Sequence, residues 1–302
     1  SLAIDRFEEI AVFVAVAEES GFAAAARRLT LSAPKVTRAV ASLERRVGTP
    51  LLLRTTRSVR LTESGQRYLD DCRRILAELA EAEEAAAGAH ATPRGLLSIT
   101  APALFGQMFV TPLATRYLDQ YPQVRLRALF VDRVVGMADE GIDVAIRIGE
   151  LPDSALIALS AGQVRRVVCA APALLARQGI PQHPAELERY RIVQAANVTQ
   201  TSEWRFAVSA DTLAVRIAPA LSVNSNRAAI AAAERGFGLT RVMSYQIAPQ
   251  LAAGSLKIVL AAFEPPPLPI HVLYQQGRKA SAKVRSFVDF CIAQLRADPA
   301  IN

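Results

Sequence analysis

The stretch FAAAARRLTLSAPKVTRAVASLERRV, Phe22–Val47, sets the reading of the whole chain. It predicts two helices with a tight turn between them. The first is Ala-rich and spans Phe22–Leu29; the second opens with Ser32 and Pro34 and runs to about Arg46. Ser32 is a good N-cap, because its hydroxyl accepts a backbone N–H of the first helical turn. Pro34 suits that turn, where its missing N–H costs little. The four residues Thr30–Ala33 have the length of a helix-turn-helix connection, and the alanines let two helices approach closely.

The second helix separates two faces. Val36, Val40, Leu43 and Val47 recur at i, i+4, i+7 and i+11, a buried stripe. Lys35, Thr37, Arg38, Ser42, Arg45 and Arg46 lie elsewhere on it. A helix with a basic, hydroxyl-bearing outer face and a small-residue partner suits a DNA major groove. A solvated charged helix is the plainer alternative. Local charge argues against it: Ser20–Leu61 carries nine Lys/Arg and one acid, Glu44, an electrostatic footprint for phosphate.

Upstream, Asp5–Glu19 is an amphipathic helix with Phe7, Ile10, Ala11, Phe13, Val14 and Ala17 on its apolar stripe. Gly21 ends it, and it completes a three-helix core. Downstream, TPLLLRTTRSVRLT after Gly48 is a small hairpin, a wing turning at Thr55-Thr56. Its Arg54, Arg57 and Arg60 are in reach of phosphate or an adjacent minor groove. Thr62 then caps a helix that runs to about Gly88, roughly 38 Å long at 1.5 Å per residue. Tyr68, Leu69, Cys72, Ile75, Leu76 and Leu79 recur along it every three to four residues, a narrow seam of coiled-coil type. So polar a helix does not stand alone. It is expected to dimerise through Leu69, Cys72, Ile75, Leu76 and Leu79, presenting two recognition helices to two half-sites.

His90–Arg94 reads as a linker. Strands are then expected at Gly95–Ala101, Val124–Phe130 and Asp143–Gly149, with a helix between the last two. Further strands follow at Val164–Ala170, Arg191–Gln194, Leu221–Asn224, Leu239–Val242, Lys257–Leu260 and Pro269–Tyr274, interleaved with helices. A closing helix spans Ser281–Leu295. Such alternation argues for α/β architecture with mainly parallel sheets.

Length and composition set wider bounds. A chain of 302 residues predicts two or three domains. Its net charge of +7 and pI near 9.7 are compatible with a nucleic-acid partner. Cys72, Cys169 and Cys291 are far apart and odd in number, so they read as buried small apolar residues, with no disulfide framework or zinc site. No apolar run reaches the ~18 residues of a membrane span and no signal-peptide pattern is seen, so no membrane is expected and the cytoplasm is the expected location. No GxSxG, Walker loop, HExxH or GxGxxG appears, and the glycines of Arg235–Arg241 have the wrong spacing for phosphate. An enzyme is not expected, nor a cofactor or metal. A plain small-molecule binding protein is the other alternative, but it leaves the basic amino-terminal module without a role.

The first 65 residues resemble the LysR-type transcriptional regulators. The resemblance is carried by Phe13–Glu18 (FVAVAE), Phe22–Leu29, Leu31–Thr37 (LSAPKVT), Leu43-Glu44, Gly48, Leu51-Leu52 with Arg54, and Leu61-Thr62 with Gly65. Glu140–Ala158 and Glu264–Tyr274 look like the same family's effector domain, so the resemblance covers nearly the whole chain. Three positions depart from the usual pattern: Ala33 for Gln, Thr37 for Ser, and Leu51-Leu52 for Leu-Phe. Losing the Gln removes one bidentate adenine reader, which bears on the operator sequence.

The resemblance implies a winged helix-turn-helix (1–61), a dimerising linker helix (62–92), and a two-lobed effector domain like a periplasmic binding protein (93–302). The lobes are expected at 93–162 with 268–302, and at 163–267. It also implies bacterial regulators of operator DNA that respond to a small molecule and form dimers or tetramers, with RNA polymerase a further candidate partner. The DNA-contact candidates are Arg27, Ser32, Ala33, Pro34, Lys35, Thr37, Arg38 and Ser42, with Arg54, Thr56 and Arg57 on the wing. The effector is expected between the lobes; the backbone N–H groups on offer there suit a carboxylate, and an apolar or vestigial pocket is the alternative. The effector's candidate contacts are Ala101, Pro102, Ala103, Phe105, Asp132, Gly149 and Glu150, facing Asn197, Val198, Thr199, Asn224 and Asn226. A regulator that needs no effector is the remaining alternative.

Overall fold

Two separately packed units make up the chain, Ser1–Ala89 and His90–Asn302, in a computed structural model that describes residues 5–55, 58–88, 91–195, 203–275 and 281–302. The first unit is built around α1 (Arg6–Glu19), which packs against α2 (Phe22–Leu29), α3 (Ala33–Val47) and α4 (Glu63–Ala87). Because helices surround α1, its buried face is wider than a stripe and includes Val12, Ala15 and Val16, whereas Phe7 stays 42% exposed. Ser20, not Gly21, makes the left-handed residue that ends α1 (φ 53°). Gly21 is extended and starts α2.

The Ser32 hydroxyl accepts the Lys35 backbone N–H at 3.4 Å, and Pro34 lies in the first turn of α3. Val36, Ala39, Val40 and Leu43 are buried. Val47, expected to continue that stripe, is exposed in the last turn beside the Gly48 cap. Strands β1 (Leu52–Arg54) and β2 (Val59–Leu61) form the antiparallel wing hairpin. Glu44 bridges it to α3: its carboxylate accepts the backbone N–H groups of Leu51 at 2.8 Å and Leu52 at 3.1 Å. The lone acid of the basic segment is therefore structural.

Thr62 joins the wing to α4, donating to the Pro50 carbonyl and accepting from the Gly65 N–H, each at 2.9 Å. Gly65 is required there, since a Cβ would lie 2.0 Å from the Leu51 carbonyl oxygen. Leu69 and Cys72 are buried in the core of this unit, with Tyr68 and Leu76 packed against it. This corrects their expected place in an intermolecular seam. A three-to-four-residue spacing marks an apolar face but does not say which partner covers it.

The second unit holds two five-stranded sheets. The first has the order β4-β3-β5-β14-β6, from β3 (Gly95–Ala101), β4 (Val124–Phe130), β5 (Val144–Ile148), β6 (Leu156–Val164) and β14 (Leu268–Gln275). Between β3 and β4 run α5 (Ala103–Phe105), one π-helical turn (Gly106–Val110) and α6 (Thr111–Gln120). Residues 131–143, where a helix is expected, form turns whose Val135, Met137 and Ile142 pack on Ala145 and Leu273.

The second sheet has the order β11-β8-β12-β7-β13, from β7 (Arg166–Ala170), β8 (Ile192–Ala195), β11 (Leu221–Val223), β12 (Leu239–Met243) and β13 (Lys257–Val259). Helices α7 (Pro172–Gln178), α8 (Asn226–Glu234) and α9 (Ala248–Ala253) connect its strands, and α10 (Ala282–Arg296) closes the chain. An antiparallel hairpin, β9 (Glu203–Val208) with β10 (Asp211–Arg216), occupies part of the interval where helices are expected.

Each sheet contains two parallel and two antiparallel pairings, so the sheets are mixed and not mainly parallel. The cause is the path of the chain. It passes from one sheet to the other through Arg165 alone, between β6 and β7, and returns before β14. The strands at these crossings, β6, β7 and β14, run against their neighbours.

Candidate nucleic-acid interface and effector cleft

The outer face of α3 is set by its inner contacts. Glu9 of α1 is buried and accepts from the Ser42 hydroxyl at 2.6 Å and from the Arg46 guanidinium at 2.6 and 3.2 Å. Burial pushes the Glu9 carboxyl up, but these hydrogen bonds and the charges of Arg46 and Arg6 outweigh it and hold the group below its ordinary value. Ser42, expected at the DNA face, is thus engaged with α1. Sequence spacing left its direction open, because no local signal names a carboxylate 33 residues away.

With α3 fixed, Ser32, Ala33, Pro34, Thr37 and Arg38 are exposed, as is Arg27 at the end of α2. Lys35 forms an ion pair with Glu8. The Arg54 guanidinium lies 4.4 Å over the Phe22 ring, which steadies the wing against α2 while the side chain remains exposed. Thr56 and Arg57 lie outside the described residues. Among the described residues Arg27, Arg38, Arg45, Arg54 and Arg60 have no carboxylate partner, whereas Arg28 and Arg46 pair with acids of α1. The unpaired cations are the ones available to phosphate.

In the second unit the expected effector residues divide. Ala101 and Phe105 belong to the core, with Phe105 stacked on Phe109 at 4.9 Å and edge-on to Tyr245 at 5.3 Å. Both are removed from the lining because the aromatic cluster fills the space they face. Pro102 and Ala103 are half-buried. Asp132 accepts the Ala103 backbone N–H at 3.0 Å, so a carboxylate of the chain itself occupies the N–H group offered there to an anion. Gly149 takes φ 109° and donates to the Pro269 carbonyl, and Glu150 is exposed beside it. In the second lobe Asn224 is exposed and Asn226 opens α8, capped by the Ser225 hydroxyl. Asn197, Val198 and Thr199 lie outside the described residues. A pocket of about 420 Å³ lined by Ser160, Ala161, Gly162, Gln163, Arg296 and Asn302 includes none of these positions.

The lobes meet through Leu104, which packs with Val167, Cys169, Val242 and Ile247 of the second lobe, and through Tyr245, whose ring lies against Phe105 and Phe109. Arg227 of α8 donates to the Gln107 side chain at 2.7 Å across the same boundary. Arg241 is not among the residues that motif or spacing singles out. It donates to the Arg205 carbonyl at 2.9 Å and lies 5.4 Å from the Trp204 ring and 5.8 Å from that of Phe206. Burial, and then the charge of Arg166, pull the Arg241 guanidinium down to about 10. The signal was present: a charged residue within the apolar strand sequence LTRVM.

These features define a DNA-binding helix-turn-helix unit followed by a two-lobed sensing unit. The family comparisons agree. Residues 7–66 match the bacterial regulatory helix-turn-helix protein model of the lysR family, and residues 90–296 match the LysR substrate binding domain. The chain belongs to the LysR family of transcriptional regulators. It is 34% identical to an HTH-type transcriptional regulator of Xanthomonas campestris over 95% of this chain and 85% of that one. It is 30% identical to the transcriptional regulator CrgA of Neisseria meningitidis over 95% of this chain and 96% of that one. The solved structure of CrgA superposes with a TM-score of 0.62, covering 97% of this chain and 99% of that one, at 30% identity. Full-length AphB of Vibrio cholerae, at 24% identity and a TM-score of 0.62, shares the fold over 96% of this chain and 99% of that one. The protein is therefore a LysR-type transcriptional regulator, with a DNA-binding helix-turn-helix and an effector-binding domain, and not an enzyme. Among the described residues no helix is long and apolar enough to cross a membrane.

Proposed function

We propose that the protein grips operator DNA as a dimer, with the first turn of α3 in the major groove and the wing on flanking phosphate. Ser32, Ala33, Pro34, Thr37 and Arg38 face the bases, and Arg27 and Arg54 hold the backbone. Thr56 and Arg57 belong to the same wing by sequence. Lys35 joins the base-facing group by exchanging Glu8 for a guanine edge or phosphate. The observation that carries this reading is the exposure of unpaired arginines around a helix N-terminus whose remaining charges are tied to α1. Occupancy of the inter-lobe cleft by a small molecule favours one lobe arrangement, and through it one spacing of the DNA-binding pairs, by differential affinity for the two states. RNA polymerase is a further partner in that scheme. The experiment is a mobility-shift titration of the full chain on fragments recovered from cells. R38A is expected to weaken operator binding by about 1–3 kcal/mol if Arg38 reads a base. Unchanged affinity would remove Arg38 from the interface.

A further inference from the structure

We propose that Arg241 and Arg166 together seat the carboxylate of a small organic acid at the cleft end of the second sheet. This inference rests on the effector-responsive reading above and names the chemistry of that site. The ladder between β12 and β7 pairs Arg241 with Val168 and Met243 with Arg166. Alternate residues of a strand share a face, as do residues paired across a ladder. Arg241 and Arg166 are therefore diagonal neighbours on one face. That face looks onto the hairpin: Val168 and Leu239 cluster there with Trp204 and Phe206.

The pair sits where a ligand between the lobes would arrive. Strand β12 ends at Met243, whose side chain packs against the core of the first lobe. Arg166 is the first residue of the second sheet after the crossover, and the joint beside it is tied by hydrogen bonds between Arg165 and Ser244. The parallel strands β8, β11 and β12 all finish at this end, the edge at which open α/β sheets bind ligands.

Charge supplies the second argument. Two guanidiniums lie together, and among the described residues neither has a carboxylate partner. Residues 196–202, which follow β8, contain no Asp or Glu. Arg241 is half-buried and is met by two ring faces and one carbonyl oxygen. Partly buried charge without a counter-ion is costly, and a bidentate oxyanion between the two side chains offsets that cost. The neighbouring Trp204 and Phe206 favour an acid with an apolar ring or chain over a heavily hydrated phosphate. Asp132 makes the opposite lobe unsuited to the same charge, since it already fills the N–H of Ala103.

Trp204 is the only tryptophan of the chain, so its fluorescence in the full-length protein reports on this site. The test titrates benzoate, acetate and inorganic phosphate against chloride at matched ionic strength. A saturable change with benzoate, weaker with phosphate, is expected. R241M should weaken it about tenfold or more, as loss of a charge-assisted pair implies, with R241K intermediate. Thermal melts of each variant establish folding, and if R241M does not fold, R166M carries the same test. A benzoate response equal in wild type and variants would overturn the proposal, as would no response in wild type or a stronger one to phosphate. Failure of the wild-type chain to bind genomic fragments at low salt would instead overturn the regulator reading beneath it.

Discussion

Glu9 shows how one side chain fixes the presentation of a recognition helix. It is buried, yet two donors from α3 keep it ionised, so its charge holds that helix at one rotation about its axis. Glu9→Gln is expected to destabilise the DNA-binding unit by about 2 kcal/mol, the usual scale for hydrogen bonds to a charged group. Its carboxyl is depressed in the folded state. The stability it contributes is thus present above the unfolded carboxylate value, about 4.3, and is lost as pH falls through the lower folded value. Circular dichroism melts between neutral and acid pH should show the wild-type advantage over the Gln variant shrinking in that acid window; a constant difference would refute the linkage. Gly65 makes a simpler case. Its Cβ position is taken by the Leu51 carbonyl, so Gly65→Ala should cost about 1–3 kcal/mol through overpacking. An unaltered melting temperature would contradict it.

At the scale of elements, α4 has two halves with different partners. The half carrying Leu69 and Cys72 is docked in the first unit. Ile75 and Leu79 follow on the part beyond that core, half-exposed in the single chain, which leaves them open to the second copy proposed above. Leu69→Ala should lower the melting temperature of the DNA-binding unit, by about 2–5 kcal/mol in stability. Leu79→Lys should leave that unit folded and shift the sedimenting species towards monomer. The assignment of the two halves would fail if the effects were reversed. The repeat along α4 was legible in sequence and its division was not, because both halves show the same spacing.

For the sensing unit as a whole, the lobes touch through apolar side chains and a hydrogen bond: Leu104 in an apolar pocket, the Phe105 and Phe109 rings against Tyr245 at 5.3 and 5.6 Å, and Gln107 with Arg227. Arg227→Ala removes this polar tie and leaves the apolar contacts. It should cost no more than about 1 kcal/mol in stability. Hydrogen exchange in the first turn of α8 should nevertheless accelerate, as expected where a boundary opens locally. Equal exchange in both proteins would mean that the apolar contacts of Leu104 and Tyr245 set the lobe separation without the polar tie.

The sequence determined the helix-turn-helix, its caps, the wing and most strands of the second unit, because each is encoded over a few consecutive residues. Ser32 and Pro34 start α3, and Gly48 ends it. Alternation and apolar spacing then mark which faces are covered. Only the tertiary structure decided what covers them. It turned Ser42 inward to Glu9, gave Leu69 and Cys72 to their own core, reversed strand directions where the chain crosses between sheets, and laid Trp204 beside Arg241. Each of those outcomes depends on a partner tens of residues distant, and periodicity along one segment carries no information about the segment it meets.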